Sequence, residues 1–99
     1  MPIYPLVEIR TRLQSLPGWE LDEQSIFIHK TFVFRDFSEA FGFLARIALL
    51  AETLGHHPDW SGGYRTVTIR LHTHDAGGIT DLDFEFAGRA EQIINAFRQ

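Results

Sequence analysis

Phe37-Ser38-Glu39-Ala40-Phe41-Gly42-Phe43-Leu44-Ala45-Arg46-Ile47-Ala48-Leu49-Leu50-Ala51-Glu52-Thr53-Leu54 is the strongest helical stretch of the sequence, and Gly55-His56-His57-Pro58 follows it at once. At 100° per residue, Phe37, Ala40, Phe41, Phe43, Leu44, Ile47, Ala48, Leu50, Ala51 and Leu54 fill about 220° of the helix circumference, against the ~100° stripe of a helix with one core-facing side. Packing on a sheet does not use that much surface. The surplus predicts contact with another helix, and we read it as the mark of a homo-oligomer rather than of a helix covered entirely by its own core. Ser38, Glu39, Arg46 and Thr53 share the remaining arc with Gly42 and Leu49. Glu52 falls at the border of the apolar face, one turn before His56, and is either a satisfied edge residue or part of a site.

Upstream, Pro5 stands where a first helical turn accepts proline, and Leu6, Ile9, Leu13 and Leu16 follow at helical spacing until Pro17-Gly18. Trp19-Glu20-Leu21 and the run 26–34 flank Asp22-Glu23-Gln24-Ser25, which predicts two strands and a turn, with Ile26, Ile28, Phe32 and Phe34 on one face. Downstream, residues 64–74 alternate Val67, Ile69 and Leu71 with Thr66, Thr68, Arg70 and His72, the pattern of a half-buried strand. Asp75-Ala76-Gly77-Gly78 turns the chain. Thr80 can cap a last helix over 81–98, with Leu82, Phe86, Ile93 and Phe97 along its apolar stripe. Helix, strand, strand, helix, strand, helix, with a short strand possible near Trp60, predicts an α+β domain in which helices cover one face of a small antiparallel sheet.

The composition narrows the function. A chain of 99 residues, 44% hydrophobic and 22% charged, suits a single domain over 1–99. Cysteine is absent, which excludes disulfides, thiolate metal sites and cysteine nucleophiles and fits a reducing compartment. A net charge of -4 has the wrong sign for a surface that neutralises phosphates, so no direct nucleic-acid ligand is expected. No apolar run approaches the ~20 residues of a membrane helix, and Met1-Pro2-Ile3-Tyr4-Pro5 lacks a signal peptide's basic region. The expected location is the cytoplasm, without a membrane partner.

Histidine carries the candidate chemistry. Gly55 suits a left-handed helix end and Pro58 keeps His57 out of the helical region, so the two imidazoles should point in different directions. Imidazole titrates near pH ~6.5 and can give or take a proton at neutral pH. His74 ends the alternating strand on its polar face, and only the fold can bring it to the His56-His57 corner. Thr80-x-x-Asp83 resembles a capping box with Asp in place of Glu or Gln, a structural role for Asp83. Trp60 and Tyr64 are packing residues or a flat wall for a planar heterocycle. Glu52, His56, His57, His74 and Asp75 offer metal ligands but no compact helical ligand pair, and no metal is expected. Gly77-Gly78 lacks a phosphate-loop frame, and Ser25, Ser38 and Ser61 lie in no nucleophile motif.

Taken together, Glu52-x3-His56-His57-Pro58-x5-Tyr64-x9-His74-x8-Asp83 resembles the signature of the pterin-4a-carbinolamine dehydratases, the family that includes the metazoan dimerisation cofactor of a homeodomain transcription factor. Leu16-Pro17-Gly18-Trp19, Phe32-Val33-Phe34-Arg35-Asp36-Phe37-Ser38-Glu39-Ala40-Phe41 and Thr73-His74-Asp75-Ala76-Gly77-Gly78-Ile79-Thr80 also resemble family segments, so the similarity spans residues 13–97. One position departs. The family commonly has Asn two residues after the motif Trp, where this chain has Gly62.

The resemblance implies an α+β fold with a four-stranded antiparallel sheet and three helices packed on one face, assembled as a homodimer or homotetramer. It implies dehydration of 4a-hydroxytetrahydropterin to quinonoid dihydropterin, which recycles the cofactor of aromatic amino acid hydroxylases, with no metal or organic cofactor. By the same likeness the catalytic residues are His56, His57 and His74. His56 and His74 would form the acid/base pair, and His57 would mainly bind substrate. Glu52 and Asp83 would orient imidazoles, while Pro58 and Trp60 would shape the pocket wall. Some relatives are binding modules instead, either transcription-factor dimerisation cofactors or assembly factors of a carbon-fixing enzyme. Three imidazoles kept together with Glu52 and Asp83 favour the enzyme, because a scaffold has no physical need of them.

Overall fold

The two-residue alternation of residues 66–71 organises the sheet. Val67, Ile69 and Leu71 are buried while Thr66, Thr68 and Arg70 are only half-buried, as a pleated strand with one covered face requires. In the computed structural model, which describes residues 1–98, the elements are α1 (Leu6–Leu13), β1 (Glu20–Leu21), β2 (Ile28–Val33), α2 (Phe37–Leu54), β3 (Asp59–Gly63), β4 (Thr66–Leu71) and α3 (Asp81–Phe97). β2 lies antiparallel to β4 with Ile28 opposite Leu71 and Phe32 opposite Val67, so the apolar sets of both strands share a face. β3 flanks β4 on its other side, Asp59 opposite Arg70, and the strand order is β1-β2-β4-β3. The α+β architecture is the expected one: a four-stranded antiparallel sheet with its three helices on one face.

Phe43 and Ile47 of α2, Phe86 and Ala90 of α3 and Ile9 of α1 join Ile28, Phe32, Ile69 and Leu71 in one core. Asp36 caps α2, accepting the Glu39 N–H at 2.8 Å. Gly55 ends it in the left-handed conformation, φ 62°, and the His56 N–H reaches back to the Ala51 carbonyl at 3.1 Å, the long bond of a Schellman turn. The hairpin of β3 and β4 explains the departure at position 62. A Cβ on Gly62 would sit 2.5 Å from the Thr66 carbonyl oxygen, so this backbone admits only glycine there.

Three expectations are corrected. α1 stops at Leu13, and Leu16 is reached through a turn in which its N–H bonds the Leu13 carbonyl. Ile26 is exposed rather than aligned with Ile28, because its N–H is held by the Asp22 carboxylate in the turn before β2. On α3 the expected Phe86 is buried, but Leu82, Ile93 and Phe97 lie on the flank. The fully covered stripe runs instead through Asp83, Ala87, Ala90 and Ile94.

On α2 the residues Ala40, Phe43, Ile47, Leu50 and Ala51 face the core. Phe37, Phe41, Ala45, Ala48 and Leu49 remain exposed on this chain, the two Phe rings stacked with centroids 6.1 Å apart. The wide apolar arc is therefore not used up by the fold. Among the described residues, no helix is long and apolar enough to cross a membrane.

Candidate active site

The C-terminal end of α2, the segment after β4 and the start of α3 meet at one corner of the molecule. His56, His57, His72, Thr73 and His74 line a concavity of about 250 Å³ there, closed at one side by Leu82. This is slightly smaller than the ~300–1,000 Å³ of pockets for drug-sized ligands and suits a single small heterocycle. β4 ends at Leu71, short of the expected His74, and it is the turn after Thr73 that carries His74 to the histidine corner, which alternation alone left open.

His56 is buried and its Nε2 lies 2.7 Å from Oδ1 of Asp83, which is wholly buried. The other carboxylate oxygen of Asp83 accepts the Thr80 backbone N–H at 2.9 Å and the Thr73 hydroxyl at 2.9 Å. Thr73 and Thr80 join their hydroxyls at 2.7 Å, and the Thr80 oxygen also accepts the Leu82 N–H. No side-chain polar atom buried among the described residues lacks a partner. A carboxylate only accepts, so Nε2 of a neutral His56 carries the proton and Nδ1 is the atom free to take one up. Asp83 is at once the capping-box residue of α3 and the anchor of His56. The structural and the functional reading of that residue describe one arrangement.

His57 is built differently. Its Nε2 lies 3.1 Å from Oε2 of Glu52, and both side chains are mostly exposed. Glu52, His57, Pro58 and Trp60 line a second, apolar groove of about 500 Å³ along Phe41, Leu44 and Ala48 of α2. Pro58 and Trp60, expected in the wall beside the catalytic histidines, thus open onto this groove, and His57 borders both concavities. Tyr64, with φ 35°, is exposed at the hairpin turn beside Phe37 and Phe41.

Three participants escape a reading of the sequence. Thr73 falls in the odd register of β4 with Val67, Ile69 and Leu71, a parity that places it on the covered side and could have marked it as buried. His72 stacks edge-on against His74, ring centroids 3.9 Å apart, and Asp59 brings a carboxylate to the same pair.

A small concavity lined by His56, His57, His72 and His74 on an α+β fold of this topology defines a class, and its likeness to known proteins identifies it. The sequence model described as pterin 4 alpha carbinolamine dehydratase matches residues 4–93. A protein of Rhodopseudomonas palustris named "Putative pterin-4-alpha-carbinolamine dehydratase" is 55% identical over 84 residues, 85% of this chain and 82% of that one. One of the same name from Bradyrhizobium is 54% identical, covering 85% and 84%. The crystal structure of a transcriptional coactivator/pterin dehydratase from Brucella melitensis superposes with a TM-score of 0.89 at 39% identity, over 93% of this chain and 98% of that one. A pterin dehydratase-like RuBisCO assembly factor of the alpha-carboxysome matches at 0.67 and 25% identity, over 77% and 88%. The chain belongs to the pterin-4a-carbinolamine dehydratase family.

Proposed function

We propose that this protein dehydrates 4a-hydroxytetrahydropterin to quinonoid dihydropterin and water, in tetrahydropterin recycling, as a single cytoplasmic domain without metal or organic cofactor. The observation that carries the reading is the convergence of His56, His57 and His74 on one small concavity, with His56 held by the saturated carboxylate of Asp83. In the reaction the C4a–O bond breaks as the hydroxyl takes a proton and leaves as water, while N5 gives up its proton and the N5–C4a double bond forms. The acid loses one proton and the base gains one, so the enzyme's proton count is unchanged and a proton passed from base to acid resets the pair. His56 and His74 are the acid/base pair, and His57 chiefly binds the pterin. Asp83 and Glu52 are positioning residues for His56 and His57, and Pro58 and Trp60 shape the approach along the adjoining groove.

Stopped-flow measurement of the dehydration of freshly generated 4a-hydroxytetrahydropterin tests this. The expected result is acceleration by wild type that falls by roughly 10²- to 10⁴-fold at each transfer in His56→Ala and His74→Ala. A rate equal to buffer with folded protein overturns the enzyme reading. It would favour an oligomeric binding module, a transcription-factor dimerisation cofactor or an enzyme assembly factor, for which the exposed stripe of Phe37, Phe41 and Leu49 is the supporting observation. In either case that stripe and the free edge of β3 support self-association into a homodimer or homotetramer. Sedimentation of Phe41→Asp should then show a smaller species than wild type.

A further inference from the structure

We propose that Asp59, His72 and His74 form a binding site for a divalent transition metal, with Zn²⁺ as its natural test ion. By the two-residue alternation His72 follows Arg70 onto one side of the sheet, and the turn after Thr73 sets His74 against it, ring centroids 3.9 Å apart. Asp59 stands directly opposite Arg70 on the neighbouring strand, which makes it the diagonal neighbour of His72 on that face. The three side chains accordingly converge: one ligand atom from each, two imidazole nitrogens and a carboxylate oxygen, all lie within 4.8 Å of one another.

Around a tetrahedral Zn²⁺ with bonds of ~2.0–2.2 Å, ligand atoms stand about 3.4 Å apart. Asp59 and His74 are exposed and His72 is half-buried, so small rotations of free side chains close the difference. His56 and His57 are each held by a carboxylate. Asp59, His72 and His74 engage in no side-chain hydrogen bond or ion pair among the described residues, so a metal would displace neither and need only part the edge contact of the two rings. Two imidazoles and one carboxylate select zinc, nickel, cobalt or copper over magnesium and calcium, and three protein ligands leave a fourth position for water.

The consequence for turnover rests on the acid/base role proposed for His74. A metal on that imidazole occupies the lone pair needed for proton transfer, so metal binding inhibits dehydration. The site itself is tested without activity. Zn²⁺ titrated calorimetrically into the full chain should bind one ion per chain, at least tenfold more weakly in His72→Ala and in Asp59→Asn, with circular dichroism confirming the fold of each. Co²⁺ should give the visible absorption of a tetrahedral nitrogen-oxygen site in wild type, and Mg²⁺ should give no heat. No Zn²⁺ binding by wild type, or undiminished binding in either folded variant, overturns the site. In the stopped-flow assay, Zn²⁺ should slow wild type at concentrations at least tenfold below those that slow His72→Ala. A protein that binds Zn²⁺ through these residues but never accelerates dehydration keeps the site and loses the enzymatic reading.

Discussion

His56 and His57 are neighbours in sequence, and each meets a carboxylate, yet the two pairs belong to different physical regimes. His56 and Asp83 are buried, 2.7 Å apart, and Asp83 also accepts a backbone N–H and a hydroxyl. His57 and Glu52 meet at 3.1 Å in solvent, and among the described residues neither side chain makes a further hydrogen bond or ion pair. In the first pair water cannot substitute for a lost partner, so geometry is fixed and removal is costly. In the second, water competes with each partner, and the pair contributes little to stability while leaving His57 mobile enough to follow a ligand. One adjacent pair thus supplies a rigid imidazole and an adaptable one.

The sharpest way to break this comparison is Asp83→Ala. It removes the capping-box bond to the Thr80 N–H and the anchor of His56 together and should lower unfolding free energy by about 3–5 kcal/mol in urea denaturation. A loss under ~1 kcal/mol would remove the distinction between the pairs. Thr73→Val leaves one donor of that network missing and should cost about 1–3 kcal/mol by the same measurement.

Asp22 supplies an intermediate case. Burial pushes its carboxyl up, but the backbone N–H groups of Phe27, Ile26 and Gln24 outweigh this and hold its pKa below the ordinary 3.8. A depressed carboxylate stabilises the fold above its unfolded pKa and loses that contribution as pH falls through the lower folded value. Asp22→Ala should therefore cost about 1 kcal/mol at pH 7 and progressively less below the ordinary pKa, read from thermal unfolding across pH 2–6. The smallest effect belongs to Glu52→Ala, within about 0.5 kcal/mol of wild type in stability. On the binding role proposed for His57, which Glu52 contacts, the same variant should raise KM for the pterin more than it lowers kcat.

Much of this was legible in the chain. Pro5, Gly55 and Thr80 punctuate the helices where local chemistry says they should, and the alternation of Val67, Ile69 and Leu71 fixes the covered face of the sheet. β3 was only a possibility near Trp60, since Asp59-Trp60-Ser61-Gly62-Gly63 is exposed throughout and carries no apolar alternation. The stripe of α3 was displaced because Ala87 and Ala90, too small to stand out as apolar residues, are wholly buried in the core. The site followed the same rule. Residues named by a motif could be read one at a time, whereas the nearness of Asp59 to His72 and His74 depends on strand pairing.

Asp83 ties the start of α3 to the histidine corner through one carboxylate, Oδ2 accepting from Thr80 and Thr73 and Oδ1 facing His56, and this bears on how the family can drift. A descendant that abandons catalysis still needs the start of its last helix, so selection for a folded chain would preserve Asp83 and its threonines long after turnover is gone. Glu52 and His57 have no such second employment. In sorting active members from inactive ones by sequence, the exposed pair is therefore the more telling witness, and the buried aspartate testifies chiefly that the chain folds.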